Sequence, residues 1–384
     1  MNDSQLVSAT IEGRRIRVGF SDQPEFLFHG LWLRDNCNCP VCVHAESKQK
    51  ILGIEDISDE VAPADVSISD NALHVTWAGG HVSRFGAGFL AQRTTTGRQQ
   101  RKHRPLHWDG HLESSFPTID FNALRESEEH RLKLLKHLVD YGTVRVSNVS
   151  ADEANTELLA GMVSIIRETP HGRIYDVRSL PKVHNLAFNA DALSLHVDGS
   201  YHYYSPGPML FHFIENTPSG GESVLVDGFA VAEQLRQENP DAFELLCRLP
   251  WHNAYWNHGM DLRAALPPIG INDDGDLTYI VLNQYTSFPE HFDGDEIEAA
   301  YQAWRQIHGI AALDSFQVKL KIPAGDALFF DNRRVLHTRT AFDVNEGPRR
   351  LRSCYMERDT MHSNLRMLAK KFNDPLQDAI FTTV

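Results

Sequence analysis

ALSLHVDGS, residues 192–200, alternates apolar and polar side chains up to a Gly-Ser turn, a pattern that predicts a β-strand. Residues two positions apart on a strand point to the same face, so the imidazole of His196 and the carboxylate of Asp198 could bind one ion together. The chain has 20 histidines, which makes a single His-x-Asp weak evidence by itself. The pair therefore predicts a metal site only if a third ligand lies beside it.

A third ligand is available in FFDNRRVLHTRTAF, residues 329–342, where His337 follows an apolar segment and a polar turn. Two histidines and one carboxylate on one side of a metal leave three adjacent positions open, an arrangement typical of Fe(II) enzymes that activate O2. We therefore predict that His196, Asp198 and His337 converge on one catalytic iron.

Short strands of uneven spacing dominate the chain beyond residue 190, with helical patterns between them. Examples are PMLFHFIEN at 208–216, ESVLVDGF at 222–229 and RRLRSCYMER at 349–358. Because no glycine-rich turn joins a strand to a helix, a parallel doubly wound sheet is disfavoured. The pattern predicts a mainly β fold with flanking helices, built on a jelly-roll-like barrel.

Three helices are predicted downstream of the N-terminal region. A capping box at Ser150–Glu153 opens the first, whose apolar face should comprise Leu158, Leu159, Met162, Ile165 and Ile166. The second covers residues 230–249, with an interruption near Pro240. The third carries, at helical spacing, Ile297, Tyr301 and Trp304.

The N-terminal region contains a predicted hairpin, in which Leu73, Val75 and Trp77 alternate with polar residues before an Ala-Gly-Gly turn. It also contains three closely spaced cysteines and two histidines that are candidate metal ligands: Cys37, Cys39, Cys42, His44 and His81. Disulfides within so tight a cluster would be strained, so thiolates bound to a metal are favoured. Zn²⁺ suits such donors in a closed, structural site.

The fourth zinc ligand could be either histidine. His44 follows Cys42 so closely that it would need a very tight loop, whereas His81 at the tip of the predicted hairpin can approach from across the domain. We therefore prefer His81. The alternative for the cluster as a whole is three buried or redox-active thiols without a metal.

The chain has 384 residues, of which 42% are hydrophobic and 23% charged, as is typical of a soluble folded protein of about two domains. A net charge of −14 argues against a nucleic-acid or anionic-membrane partner. No apolar segment approaches the ~20 residues that span a bilayer, and the N-terminus lacks a secretory signal pattern. We predict a cytoplasmic protein with a small zinc domain at residues 1–100, a basic linker at 101–117 and a larger domain at 118–384.

Two residues are candidates for binding an anionic co-substrate. If residues 349–355 form a strand, Arg349 and Arg350 point to opposite faces, so one guanidinium enters the barrel. A buried guanidinium is costly unless it meets a carboxylate in a bidentate contact, and the Ser223 hydroxyl offers a further donor. The alternative is a set of surface arginines, which suits the face of Arg350 and Arg352.

In these segments the chain resembles the γ-butyrobetaine dioxygenase and trimethyllysine dioxygenase family of Fe(II)/2-oxoglutarate-dependent oxygenases. The resemblance covers nearly the whole chain and rests on LWLRDNCNCPVCVH, WAGGHVSRF, YDVRS, LSLHVDGS, TPSGGESVLVDGF, FFDNRRVLHTRTAF and RRLRSCYMERD. It implies a double-stranded β-helix (jelly-roll) oxygenase domain that carries a small zinc domain, usually assembled as a homodimer.

The resemblance also implies roles for individual residues. Iron would be bound by His196, Asp198 and His337, and zinc by Cys37, Cys39, Cys42 and His81. Arg349 would pair with the distal carboxylate of 2-oxoglutarate, with the Ser223 hydroxyl beside it. The implied reaction is hydroxylation of a small trimethylammonium zwitterion, which yields succinate and CO2, with ascorbate as a candidate reductant.

The substrate region departs from the pattern of the γ-butyrobetaine-specific members, which line the trimethylammonium pocket with tyrosine and tryptophan. The counterparts here are His171, Tyr175, Phe188 and Tyr355, whose aromatic faces can still hold a quaternary ammonium group. Candidates for the anionic end are Asn185, Asn283, Tyr201 and Tyr203. A carboxylate is the default anion, and a phosphonate, as in 2-trimethylaminoethylphosphonate, is the alternative.

Two other functions are weighed against this one. A taurine-like sulfonate dioxygenase is disfavoured by the zinc module and the aromatic cluster. A non-catalytic binding protein with a vestigial metal is disfavoured by the intact His196, Asp198 and His337 set together with Arg349.

Overall fold

The computed structural model describes residues 4–178, 193–216, 219–257, 259–288 and 294–382. The chain divides into two compact units, Met1–Lys102 and His103–Val384. In the part of the chain that is described, no helix combines the length and apolar character needed to cross a membrane.

The smaller unit consists of two three-stranded antiparallel sheets and three short helices. Its strands are β1 (Leu6–Glu12), β2 (Arg15–Phe20), β3 (Phe26–His29), β4 (Pro63–Ser69), β5 (Ala72–Trp77) and β6 (Val82–Gly86), and its helices are α1 (Gly30–Asp35), α2 (Ala87–Ala91) and α3 (Thr95–Arg101). The sheet orders are β1-β2-β3 and β4-β5-β6. The predicted hairpin is confirmed as β5 and β6, whose turn is closed by a hydrogen bond from the Trp77 N–H to the His81 carbonyl.

The larger unit contains fourteen strands and seven helices within its described residues. The strands are β7 (Thr118–Asp120), β8 (Thr143–Ser147), β9 (Tyr175–Arg178), β10 (Pro208–Asn216), β11 (Ser223–Asp227), β12 (Trp251–Asn257), β13 (Met260–Leu266), β14 (Ile269–Ile271), β15 (Leu277–Ile280), β16 (Ser287–Phe288), β17 (Val318–Leu320), β18 (Ala327–Asp331), β19 (Val335–Arg339) and β20 (Arg349–Tyr355). The helices are α4 (Phe121–Glu126), α5 (Glu128–Asp140), α6 (Ala154–Val163), α7 (Gly228–Glu238), α8 (Pro240–Arg248), α9 (Gly294–Ala311) and α10 (Arg358–Lys371).

Two sheets form the core of this unit, one with the order β7-β8-β18-β10-β20-β9 and one with the order β17-β11-β19. Alternate residues of the central strands face opposite ways, as the strand period requires. Phe330 and Tyr355 pack with Leu225 of the smaller sheet, so the two sheets face each other. Residues on the other face, including Phe329, pack against α5, α6 and α10. The predicted mainly β architecture with flanking helices is confirmed.

The helix predicted after residue 150 differs from the expectation. Ser150 has a φ of 70°, which is left-handed and incompatible with the extended backbone of an N-cap, so no capping box forms. The helix, α6, ends at Val163. Leu158 and Ile165 are 46% and 60% exposed, so their assignment to the buried face was wrong.

The segment 101–117, expected as a linker, packs within the larger unit from His103 onwards. Trp108 is buried, its indole N–H donates to the Tyr141 carbonyl at 2.6 Å, and its backbone N–H donates to Asp227 at 3.1 Å. Through these contacts a segment whose composition is typical of irregular chain packs onto the larger unit.

A buried ion pair between Arg334 and Asp227 joins the end of β11 to the turn between β18 and β19. The two side chains are 1% and 0% exposed, and Arg334 donates from Nε and Nη2 to the two carboxylate oxygens at 3.0 and 2.8 Å. Two further guanidinium N–H groups donate to the carbonyls of Asp140 and Leu106 at 2.8 and 2.6 Å. These four hydrogen bonds hold the turn before β19 in place.

Removal of this arginine should be strongly destabilising, since it leaves the buried Asp227 without its counter-ion. We expect Arg334→Met to lower the free energy of unfolding by about 3–5 kcal/mol, measured by urea denaturation. The matched control is Arg305→Met on the exposed side of α9, for which a change within about 0.5 kcal/mol is expected. Equal effects of the two substitutions would show that the ion pair does not stabilise the fold.

Candidate active site

Two backbone hydrogen bonds join His196 and His337. His337 lies in the middle of β19, and His196 lies in a segment that forms only an isolated bridge with it. The His196 N–H donates to the His337 carbonyl at 3.2 Å, and the His337 N–H donates to the His196 carbonyl at 2.9 Å. The strand predicted at 192–200 is therefore wrong for its described part, yet the bridge still brings the two imidazoles together, with ring centroids 4.6 Å apart.

Asp198 faces both imidazoles. Its Oδ1 lies 3.5 Å from Nε2 of His196, and its Oδ2 lies 3.8 Å from Nε2 of His337. His196 donates from Nδ1 to the Ser194 carbonyl at 2.8 Å, which leaves Nε2 as the unprotonated, metal-binding nitrogen of the neutral ring. The three residues offer donor atoms within 4.8 Å of one another, and two imidazoles with one carboxylate form a set that suits Fe(II).

Burial and neighbouring charges shift the pKa of each of these groups. Burial acts to raise the pKa of the Asp198 carboxyl, but the two neighbouring imidazoles hold that pKa well below its ordinary value. Burial lowers the pKa of His337, whereas at His196 the combined effect of the Asp198 carboxylate and the Ser194 carbonyl exceeds that of burial and raises the pKa. The carboxylate is therefore ionised, as a ligand must be.

Two asparagine side chains hold the main chain between the ligands. The Asp198 N–H donates to Oδ1 of Asn332 at 2.8 Å, and Nδ2 of Asn332 donates to the Asp198 carbonyl at 2.9 Å. Nδ2 of Asn283 donates to the Val197 carbonyl at 2.9 Å. These amides replace the partners that a regular strand would supply, so Asn283, predicted to contact substrate, also has a structural part in the site.

A cavity of about 600 Å³ opens beside the three donor residues. Five aromatic rings follow one another along its wall, with centroids 5.7 Å apart for Tyr355 and Tyr175, 6.1 Å for Tyr175 and His171, 6.1 Å for His171 and Tyr255, and 5.0 Å for Tyr255 and Tyr201. Burial raises the pKa of Tyr175, Tyr201 and Tyr355, so all three remain neutral phenols. Tyr175, Tyr201 and Tyr355 therefore offer π faces and hydroxyl groups without formal charge.

Arg349 supplies positive charge elsewhere in the same cavity. Its side chain is buried, and within the described residues Nε has no hydrogen-bond partner and the guanidinium forms no ion pair. Burial, and secondarily the neighbouring Arg339, lower the pKa of Arg349 to about 10, so it remains charged near neutral pH. Ser223 lines the same cavity. Because this buried cation lacks a counter-ion within the described part of the chain, its side of the cavity suits an anionic ligand.

Glycine is favoured beside this cation. Gly221 has a φ of 60°, and a Cβ built on it would lie 3.4 Å from Cδ and Nε of Arg349. A larger residue at this position would strain the left-handed backbone and crowd the guanidinium side chain.

Most of the predicted site residues line this cavity. They are His171, Tyr175, His196, Asp198, Tyr201, Ser223, Asn283, His337, Arg349 and Tyr355. Tyr203 does not, since its side chain is 75% exposed, and its placement in the substrate pocket is corrected accordingly. Asn185 and Phe188 lie outside the described residues.

The sequence reasoning missed Tyr255, Tyr285 and Arg339, which also line the cavity. Tyr255 lies on β12, a strand whose alternation of Trp251, Asn253 and Tyr255 could have predicted an inward-facing ring. Arg339 lies two positions after His337, a spacing that places both on one face of β19.

The three N-terminal cysteines surround His81. Their Sγ atoms lie 3.3 Å (Cys37), 3.8 Å (Cys39) and 3.7 Å (Cys42) from Nε2 of His81. Tetrahedral Zn²⁺ with ordinary bond lengths requires sulfur and nitrogen ligands about 3.6 Å apart. Among the described residues the cluster contains His81 and not His44, whose Nδ1 accepts a hydrogen bond from the Ser47 N–H. The donor set can therefore hold a zinc ion entirely with protein ligands.

Comparisons with known proteins agree with both sites. A family model described as taurine catabolism dioxygenase TauD, TfdA family matches residues 102–355, and one described as gamma-butyrobetaine hydroxylase-like, N-terminal matches residues 7–90. The gamma-butyrobetaine dioxygenase of Pseudomonas sp. (strain AK-1) is 32% identical over 374 residues, which cover 96% of this chain and 97% of the relative. The mitochondrial trimethyllysine dioxygenase of Gallus gallus is 31% identical over 352 residues, 89% of this chain and 83% of the relative.

A solved structure gives a likeness at the level of the fold. The crystal structure of a taurine dioxygenase from Burkholderia xenovorans superposes with a TM-score of 0.50, covering 66% of this chain and 89% of the other. The two sequences are only 13% identical, so this likeness concerns the fold alone.

The two histidine candidates for zinc can be separated by substitution. We expect wild type and His44→Ala to retain about one zinc per chain and His81→Ala to lose most of it, because three thiolates alone leave the tetrahedron incomplete. Zinc content is measured by atomic emission on protein dialysed against a weak chelator, and thermal unfolding of the same samples should show a lower midpoint for His81→Ala only. Equal zinc content in both variants would contradict His81 as a ligand.

Proposed function

The chain belongs to the taurine catabolism dioxygenase TauD, TfdA family and is an Fe(II)- and 2-oxoglutarate-dependent dioxygenase, and from this premise we propose that it hydroxylates a small trimethylammonium zwitterion. One observation carries the proposal. A single cavity contains a two-histidine, one-carboxylate donor set, a wall of aromatic rings and a buried arginine without a described counter-ion.

Three residues would hold the iron and two the co-substrate. His196, Asp198 and His337 are the proposed iron ligands, Arg349 the partner of the distal carboxylate of 2-oxoglutarate, and Ser223 a second donor to it. When bound, Fe(II) and 2-oxoglutarate supply the oxidising chemistry, in which O2 is consumed, succinate and CO2 are formed and a hydroxyl group is added to the substrate. The chain's own contribution is to orient these groups.

The aromatic wall is the proposed binding site of the trimethylammonium group. A quaternary ammonium ion cannot donate hydrogen bonds, so aromatic faces attract it better than polar groups that need a donor. Tyr175 and Tyr355 lie nearest to Asp198 along this wall, which places the cation beside the reacting centre and an adjacent methylene within its reach. The phenol rings attract the cation without placing a second carboxylate in the site.

The anionic end of the substrate would lie toward the hydroxyl groups of Tyr201 and Tyr255. These rings are stacked at an interplanar angle of 21°. Two phenol donors suit a carboxylate, as in γ-butyrobetaine, and equally the oxygens of a phosphonate, as in 2-trimethylaminoethylphosphonate. We take the carboxylate as the default and the phosphonate as the alternative.

We further propose that the protein acts as a homodimer in the cytoplasm. The resemblance to γ-butyrobetaine and trimethyllysine dioxygenases supports the homodimer. The five cysteines, all without a disulfide, support a reducing compartment.

The arginine assignment predicts a specific kinetic effect. Arg349→Ala should raise the KM for 2-oxoglutarate about 10- to 100-fold, because a charge-assisted contact to a carboxylate is lost. The adjacent Arg350→Ala is the control, since Arg350 pairs instead with Asp176 and Glu153 on the opposite face. An unchanged KM in Arg349→Ala would move the anchor to another residue.

A succinate assay over chosen substrates tests the proposed function. We expect γ-butyrobetaine, trimethyllysine or 2-trimethylaminoethylphosphonate to stimulate succinate formation, and taurine to have no effect, with Asp198→Ala inactive throughout. Stimulation by taurine alone would favour the sulfonate dioxygenase, and no succinate under any condition would favour a non-catalytic binding protein.

The role of the cation has its own control. 5,5-Dimethylhexanoate has the shape of γ-butyrobetaine with carbon in place of the charged nitrogen. If the aromatic wall recognises charge, the KM for 5,5-dimethylhexanoate should be at least about tenfold higher than the KM for γ-butyrobetaine. Equal KM values would show that the wall selects shape alone.

A further inference from the structure

We propose that the Tyr355 hydroxyl positions the Asp198 carboxylate for metal binding, in addition to the place of its ring in the cavity wall. The Tyr355 hydroxyl donates a hydrogen bond to Oδ2 of Asp198 at 3.0 Å. The inference rests on the proposed function, because it takes Asp198 as a metal ligand. It assigns to Tyr355 a role toward the metal that recognition of the substrate cation does not require.

The position of Tyr355 is fixed by its strand. It is the last residue of β20, pairs with Met209 of β10, and accepts a hydrogen bond at its carbonyl from the Arg167 N–H at 2.8 Å. Its side chain is only 8% exposed. The phenol oxygen is therefore held at a defined point beside Asp198.

The two oxygens of the carboxylate have different surroundings. Oδ1 faces His196 Nε2 at 3.5 Å, whereas Oδ2 faces His337 Nε2 at 3.8 Å and also accepts the Tyr355 hydrogen bond. The peptide groups on both sides of the Asp198 Cα are held by Asn332. With the main chain fixed, only rotation of the side chain remains free, and the bond from Tyr355 fixes the plane of the carboxylate.

This arrangement makes Tyr355 a positioning residue with two separable properties. Its ring face contributes to the aromatic wall, and its hydroxyl contributes to the ligand geometry. Phenylalanine retains the first property and removes the second. Tyr201→Phe is a matched control, because Tyr201 lines the same cavity and no hydrogen bond joins it to Asp198 among the described residues.

The test measures metal binding without turnover. Zinc-loaded protein freed of other metals is titrated with Mn²⁺, a hard ion that the thiolate cluster does not favour, and free Mn²⁺ is followed by electron paramagnetic resonance. We expect the dissociation constant of Tyr355→Phe to be about tenfold higher than that of wild type, and that of Tyr201→Phe to lie within about twofold of it. A Tyr355→Phe value within the same twofold range overturns the inference.

Asp198→Ala separates this inference from the proposed function. If Asp198→Ala binds Mn²⁺ as tightly as wild type, the proposed metal site itself is wrong. If Asp198→Ala binds weakly and Tyr355→Phe binds normally, only the role of Tyr355 is wrong. In the double variant Tyr355→Phe should add no further loss, because there is no carboxylate left to position, and an additional tenfold loss would show that the hydroxyl acts elsewhere.

Steady-state kinetics provide a second readout. Tyr355→Phe should raise the KM for Fe(II) while leaving the KM for the trimethylammonium substrate nearly unchanged, because the ring face remains. A raised KM for the substrate with an unchanged KM for Fe(II) would assign the hydroxyl to substrate binding instead. Thermal unfolding of both Phe variants without Mn²⁺ should give equal midpoints, and a lower midpoint in Tyr355→Phe together with unchanged Mn²⁺ affinity would show a merely structural role.

Discussion

Two backbone hydrogen bonds between His196 and His337 carry the geometry of the proposed iron site. One histidine lies in the middle of a barrel strand, and the other lies in a segment with no ladder of its own. The bridge therefore transfers the rigidity of β19 to the segment that also contains Asp198. Asn283 and Asn332 complete the attachment through main-chain contacts. An apolar residue of similar size in place of Asn283 or Asn332 would leave buried peptide groups unpaired.

The charged and uncharged parts of the cavity suit the proposed co-substrate and the proposed substrate separately, so the two do not compete for one binding position. Arg349 is a buried cation with no described counter-ion, whereas Asp198 shares its negative charge with two imidazoles. Tyr175, Tyr201 and Tyr355 of the aromatic wall carry no formal charge. In the proposed function a dianionic co-substrate is drawn toward Arg349 and a quaternary ammonium group toward the rings. A carboxylate in that wall would bind the ammonium group more strongly, but it would also be a further ligand close to the metal.

Local patterns in the sequence predicted the hairpin, the cysteine cluster and the strand that carries Arg349, because each depends on residues close together along the chain. The chemistry of the donor set was predictable from ligand types, although the strand assumed around His196 is in fact an isolated bridge. Tertiary contacts decided the rest. The left-handed φ of Ser150 overrides its capping pattern, and Tyr203 points outward although Tyr201 lines the cavity. The alternation within β12 and β19 gives the side-chain directions of Tyr255 and Arg339, but no short segment reveals the sheet pairings of these strands.

The spacing of the two donor sets along the chain has a consequence for biosynthesis. The sulfur and nitrogen donors around His81 are all present once the first 81 residues have been made, whereas the set around Asp198 is incomplete until His337. At ribosomal rates the roughly 140 residues from His196 to His337 take on the order of 10–30 s to synthesise. Throughout that interval the set around Asp198 consists only of His196 and Asp198, whereas the set around His81 is complete. The smaller unit can therefore load its ion while the ribosome is still translating the barrel.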